Sequence, residues 1–120
     1  GIEKTLIDTA VIDIPSLGMA CRAIHELRRE FGLPVGSGAH NAIGTWRGLK
    51  KKMGKQATGA SMAAACAITV AAGANFVLYG PIECADYMFP AIAMVDAAYA
   101  QLGMEEGAMP DPRHPIFRIA

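Results

Sequence analysis

The stretch Pro34-Val35-Gly36-Ser37-Gly38-Ala39-His40-Asn41-Ala42-Ile43-Gly44 decides how the rest of the chain is read. It opens as a short apolar strand, dissolves into glycines and then offers two polar side chains, His40 and Asn41. Glycines let a backbone come close to a ligand, and a few aimed polar groups give such a floor its specificity. The segment therefore reads as a strand followed by a ligand-facing turn, the junction that opens each unit of an α/β scaffold.

Toward the N-terminus, Leu6 to Pro15 begins as a β-type apolar run. It suits a strand buried on both faces, with Asp8 at or near its end. Ser16 reads as an N-cap, and Asp13, close to the helix start, reads as a capping or loop-bracing residue. Beyond it Leu17, Ala20, Cys21, Ile24, Leu27 and Phe31 recur at helical spacing, while Arg22, Glu26, Arg29 and Glu30 take the outer face. Gly32 ends that helix and Pro34 prevents its resumption. Toward the C-terminus, a brief helix is expected from Thr45 to Lys52 and an Ala-rich one from about Ser61 to Ala72. Asn75 to Tyr79 reads as a further strand, closed by Gly80-Pro81, and a last helix covers about Ala85 to Leu102. The tail, with Pro110, Pro112 and Pro115, reads as an extended strap.

Strand and helix in alternation mean parallel strands joined by right-handed crossovers. Three buried strands leave sheet edges that need neighbours, so residues 1–120 read as the C-terminal portion of a single (β/α)8 TIM-barrel domain. A flavodoxin-like sheet is the structural alternative. In a barrel the loops after the strands share one face, and that face carries the chemistry. Asp8, the Ser37–Asn41 loop and the Pro81–Glu83 loop are therefore expected to converge.

Composition narrows the function classes. With 52% hydrophobic and 18% charged residues the chain is too apolar for disorder and ample for one core. Its 11 basic and 11 acidic residues cancel, which lacks the basic footprint of a nucleic-acid binder. Cys21, Cys66 and Cys84 are widely spaced with no CxxC pair, which points to reduced thiols in the cytoplasm and away from a disulfide frame or a zinc site. The mainly apolar run from Ala57 to Leu78 is broken by Thr, Ser, Gly and Asn, so no membrane span is expected.

Each candidate residue carries a structural and a functional reading. Asp8 either satisfies nearby backbone or is a buried carboxylate that accepts hydrogen bonds from an N–H-rich ligand. Asn41 either occupies a turn or uses its amide to donate to and accept from a ring. His40 is an acid/base group or a hydrogen-bonding spacer. Glu83 contacts substrate or simply favours the first turn of a helix. Cys84 has no visible activator and reads as a packed thiol. Lys50, Lys51, Lys52 and Lys55 are a solvated face, or they meet an anionic ligand tail or an acidic partner. Gly36-Ser37-Gly38 matches half of a dinucleotide fingerprint but lacks its third glycine.

Taken together, Ile7-Asp8-Thr9-Ala10-Val11, Asp13-Ile14-Pro15-Ser16-Leu17-Gly18, Gly38-Ala39-His40-Asn41-Ala42-Ile43-Gly44-Thr45-Trp46 and Tyr79-Gly80-Pro81-Ile82-Glu83 resemble the H-subunit family of tetrahydromethanopterin S-methyltransferase, including bacterial relatives that use tetrahydrofolate. The wider group is that of dihydropteroate-synthase-like barrels. The resemblance spans nearly the whole chain and the C-terminal part of the family's length. It implies a pterin-binding barrel of one-carbon metabolism, methanogenesis included, that moves a methyl group between N5 of a tetrahydropterin and the cobalt of a corrinoid carried by a partner protein.

By the same resemblance Asn41 is the catalytic residue. The resemblance makes Asp8 the expected partner on the pterin ring beside Asn41; the loop residues Ser37, His40 and Glu83 complete the expected substrate-binding set, and no metal is expected to be held by the chain itself. The implied partners are the corrinoid protein and either a second copy of the chain or further subunits of a methyltransferase complex, in the cytoplasm or peripheral to a membrane assembly. Two other readings stand beside this one. A dihydropteroate synthase would want Arg or Lys at these strand ends for its diphosphate, where the loops offer His40, Asn41 and Glu83. A non-catalytic docking subunit for a corrinoid protein would keep the barrel without the chemistry.

Overall fold

Three strands pair in parallel in the order β1-β2-β3: β1 is Ile7–Asp8, β2 Val35–Ser37 and β3 Phe76–Val77. The computed structural model describes residues 1–119. Ile7 stands opposite Val35 and Asp8 opposite Gly36, while Gly36 and Ser37 stand opposite Phe76 and Val77. Parallel neighbours need a crossover. Helix α1 (Ile14–Phe31) makes the first, and α2 (His40–Gly44) with α3 (Arg47–Ala71) makes the second; α4 (Ala85–Glu105) follows β3. α1 packs on α3 and α3 on α4, so the helices form one continuous layer.

Local chemistry explains where the helices start and stop. Asp13, not Ser16, is the N-cap of α1. Its carboxylate accepts the Ser16 N–H at 2.9 Å, while the Ser16 hydroxyl accepts the Asp13 N–H at 2.8 Å, a reciprocal capping box. The Ser16 N–H, and then the Ser16 hydroxyl, hold the Asp13 carboxyl below its ordinary pKa. At the other end Gly32 donates its N–H to the Arg28 carbonyl.

The brief helix and the Ala-rich one expected between Thr45 and Ala72 are both present: α3 consists of two helical segments that meet at a kink at Gly54 (φ 81°, ψ −173°). Lys55, Gln56, Ala57 and Ala60 are good helix formers, which carries the Ala-rich helix back to that glycine. The tail is less extended than a strap: a 3-10 turn at Pro115–Phe117 lies against α4, with His114 Nδ1 accepting the Ile116 N–H at 3.2 Å.

The core lies between the helices and under β2. Leu17 and Ala20 of α1, Ala42 and Ile43 of α2, Leu49, Ala63 and Cys66 of α3, and Met88 of α4 are buried together. Burial on both faces, expected for all the strands, holds for β2 alone. β1 and β3 each have one strand neighbour, and flanking residues such as Leu6 and Leu78 stay 64% and 53% exposed. The assembly is a slab 24 Å thick with a radius of gyration of 15.3 Å. A closed domain of this length has about 13.6 Å.

Within the sheet, β2 and β3 approach unusually closely at Gly36. A methyl group there would sit inside van der Waals contact with the Phe76 carbonyl oxygen and 2.8 Å from Phe76 ring carbons. Glycine is the residue that permits this backbone approach.

Candidate functional site

Because the strands are parallel, their C-terminal ends lie along one edge of the sheet. The Thr9 N–H donates to the Gly36 carbonyl at 3.0 Å, and the Leu78 N–H donates to the Ser37 carbonyl at 3.0 Å. The three strand exits, expected to converge, are thus laid side by side.

The exit from β2 is helical sooner than its glycines suggest. α2 begins at His40, and the Asn41 N–H closes a turn onto the Gly38 carbonyl at 3.0 Å. Asn41 is exposed. Its Nδ2 lies 3.1 Å from the place a Cβ on Gly38 would occupy, so the missing side chain of Gly38 gives the amide its room. Among the described residues the carboxamide takes no hydrogen-bond partner, which leaves both donor and acceptor open to a ligand.

His40, half-buried, ties this exit to the next. Its Nδ1 lies 2.8 Å from the Leu78 carbonyl oxygen. A carbonyl only accepts, so Nδ1 carries the proton and Nε2 is the open position of the ring. The ring packs on the backbone of Gly80, whose φ is +92° and whose Cβ, if present, would stand 2.7 Å from His40 Cδ2. The His40 backbone N–H lies near the buried Cys66 thiol. Burial pushes that thiol up to about 11, with the nearby His40 N–H opposing and Cys84 adding to the rise. Cys84 is buried and accepts the Tyr87 hydroxyl at 3.2 Å, which with burial and the carboxylates of Asp86 and Glu83 raises the Tyr87 pKa. Both thiols are free and packed.

The other expected residues divide. Asp8 ends β1, as read, but it is exposed where a buried carboxylate was expected, because nothing covers the edge strand. One of its oxygens accepts the Ala10 N–H at 2.8 Å, at a residue whose φ is 51°; the other has no partner among the described residues. Ser37 lies at the end of β2 with no exposure, on the same strand face as the fully buried Val35 and under the helix layer. Its Oγ has no partner and no opening to a ligand. Glu83 is exposed in a 3-10 turn, Ile82–Cys84, that leads into α4.

Gly80 and the Leu78 carbonyl are the site elements the residue reading missed. The contact of Gly80 with a ring forty residues away has no local signature in the sequence.

A cavity of about 190 Å³ lies elsewhere, along β3 and α4 between Phe76, Tyr79, Met88, Phe89 and Ile92. The Tyr79 and Phe89 rings meet edge to face at 5.7 Å in its wall. None of the expected site residues lines it. Among the described residues no three His, Cys, Asp or Glu side chains gather as a metal site requires, and no helix is long and apolar enough to cross a membrane.

Residues 1–110 match the family described as tetrahydromethanopterin S-methyltransferase MtrH subunit. The tetrahydromethanopterin S-methyltransferase H subunit of Methanothermobacter thermautotrophicus is 38% identical over 122 residues, covering 99% of this chain and 39% of that protein. The corresponding protein of Methanocaldococcus jannaschii is 37% identical, covering 99% and 41%. The H subunit of a putative mtx methyltransferase from Methanosarcina barkeri is 36% identical, covering 97% and 38%. The chain thus spans about two fifths of the length of the curated relatives it matches.

Proposed function

The chain belongs to the tetrahydromethanopterin S-methyltransferase MtrH subunit family, and on that premise we propose that it carries one side of the active site of a methyltransferase acting on a tetrahydropterin. The whole enzyme moves a methyl group between the pterin N5 and the cobalt of a corrinoid held by a partner protein. The pterin and the corrinoid are both substrates brought to this surface. The three strands are the last part of a (β/α)8 barrel. A sequential parallel sheet, a single helix layer, exposed apolar residues beside the outer strands and a radius of gyration of 15.3 Å all support that reading.

The observation that carries the proposal is the exposed, unpartnered Asn41 carboxamide at the exit of β2. An N5 amine is a poor leaving group, so the nitrogen must gain positive character or a proton before its methyl departs. A neutral amide turns its oxygen toward an N5 proton and its NH2 toward an acceptor without taking the proton away. That stabilises charge as it develops, which is where binding energy accelerates a reaction. The attacking electron pair belongs to Co(I) on the partner, so no nucleophile is required of this chain.

Asp8, exposed and with one oxygen unpartnered among the described residues, holds N–H groups of the pterin ring. His40 keeps Asn41 in register with the third strand exit through its Leu78 bond. Glu83 lies along the same edge and completes the rim. Titrating the intact protein with tetrahydromethanopterin and with tetrahydrofolate tests the reading: saturable binding of either supports it, and binding of neither removes it.

A further inference from the structure

The chain's net charge of zero hides a strong polarisation. No Asp or Glu stands between Glu30 and Glu83, yet Arg47, Lys50, Lys51, Lys52 and Lys55 fall within nine residues of that interval. The structure gathers part of this charge around a depression. Arg47, Lys50 and Lys51 form the rim of a hollow of about 430 Å³ that Trp46, Ile43 and Met62 line with apolar surface. The three cations are exposed, and the only ion pair among the described residues is the distant one between Arg113 and Asp111.

Like charges three and four residues apart destabilise the helix that carries them, and a face that serves only solvation alternates its signs. The hollow has the size of a small-molecule site, with an aromatic and aliphatic wall and a few convergent charges. Its position matters as well. Ile43 and Gly44 line it from α2, two and three residues beyond Asn41, which is about 3 to 5 Å along the helix. A substituent directed along α2 from a flat ring at Asn41 leads toward this hollow.

We propose that this hollow binds the anionic end of the substrate's substituent, a carboxylate or a phosphate. The assignment rests on the pterin methyltransferase reading and names the subsite that reading leaves open. The concave shape and the apolar wall favour a small-molecule tail over the acidic face of a protein. Lys52 and Lys55 lie outside the hollow and keep to solvent.

The test uses the intact protein and a variant carrying Arg47→Gln, Lys50→Gln and Lys51→Gln, with circular dichroism to check its fold. Calorimetric titrations employ four probes: tetrahydrofolate, whose tail ends in carboxylates; tetrahydromethanopterin, whose tail adds a phosphate; the tail-less 6-methyltetrahydropterin; and p-aminobenzoylglutamate, a tail without a pterin. The variant should bind a tailed pterin roughly tenfold or more weakly and the tail-less one as wild type does. Raising salt from about 50 to about 200 mM should weaken tailed binding to wild type and leave the variant unmoved. Unchanged affinity of the variant for every tailed probe overturns the proposal, as does equal loss for tailed and tail-less pterins. A variant that binds all probes normally but no longer engages the corrinoid protein also overturns it, in favour of an acidic partner. Cation-dependent binding of p-aminobenzoylglutamate with no pterin binding at all retains the hollow as an anion site and removes the methyltransferase reading.

Discussion

Gly80→Ala in the intact protein tests how the second and third strand exits are held together. Gly80 has φ +92°, and positive φ costs an L-residue about 1–2 kcal/mol. The added Cβ falls 2.7 Å from His40 Cδ2 and 3.0 Å from Cγ, so the ring must move. Its 2.8 Å bond to the Leu78 carbonyl goes with it, a loss of about 1 kcal/mol. The substitution should therefore destabilise by about 2–3 kcal/mol in urea unfolding at constant m-value. In a His40→Ala background the ring is absent and only the backbone term remains, about 1–2 kcal/mol. The double-mutant cycle should thus return a coupling of about 1 kcal/mol. Equal costs in the two backgrounds, within about 0.3 kcal/mol, refute the contact and with it the role of His40 as the tie.

Three further outcomes follow from the same geometry. Gly36→Ala should cost about 3–5 kcal/mol in denaturant unfolding, because a Cβ facing the Phe76 carbonyl must part β2 from β3 and strain the Asn75–Val35 and Leu78–Ser37 backbone bonds; a cost below about 1 kcal/mol contradicts the close approach. Ser37→Ala should be neutral or stabilising, since it removes a buried hydroxyl without a partner, and a large loss in the melting temperature would show that Oγ is in fact bonded. The Asp13 carboxyl is held below its ordinary pKa, so in acid the unfolded chain takes up the proton first; the cap's contribution is full above about pH 4 and fades as pH falls through the lowered value. Asp13→Asn keeps a capping oxygen that does not titrate, and the wild-type advantage over it should shrink on acidification; a difference independent of pH sinks that account.

Much of the local order was legible in the residues. The strand-and-helix alternation and the stop at Gly32 rest on propensities that act within a few positions, and both are found. The brief helix and the Ala-rich helix are both legible in the pattern and both are found; the strength of Lys55, Gln56 and Ala57 as helix formers starts the second directly after the kink at Gly54. The site was legible in its location and less so in its contacts. Asp8 ends its strand as read, yet its exposure depends on what lies beside an edge strand, which no local pattern records. Ser37 belongs to the expected ligand set as part of the loop after β2; the alternation of faces along β2 turns it under the helices with Val35. The His40 bond to Leu78 joins residues 38 apart in sequence and follows from the register of β2 on β3, which only the folded sheet displays.

Asn41 is the residue on which the proposed chemistry rests, and single-turnover methyl transfer tests it most directly. The intact protein, loaded with N5-methyltetrahydropterin, is mixed with the Co(I) corrinoid protein, and the decay of Co(I) absorbance is followed for wild type and Asn41→Ala. The exposed side chain bears little packing, so the variant should fold normally and bind the pterin with a modest loss. Its transfer rate should fall by about a hundredfold or more, as expected when a group that stabilises developing charge is removed. A rate equal to that of wild type, with the variant folded and the pterin bound, contradicts the central claim.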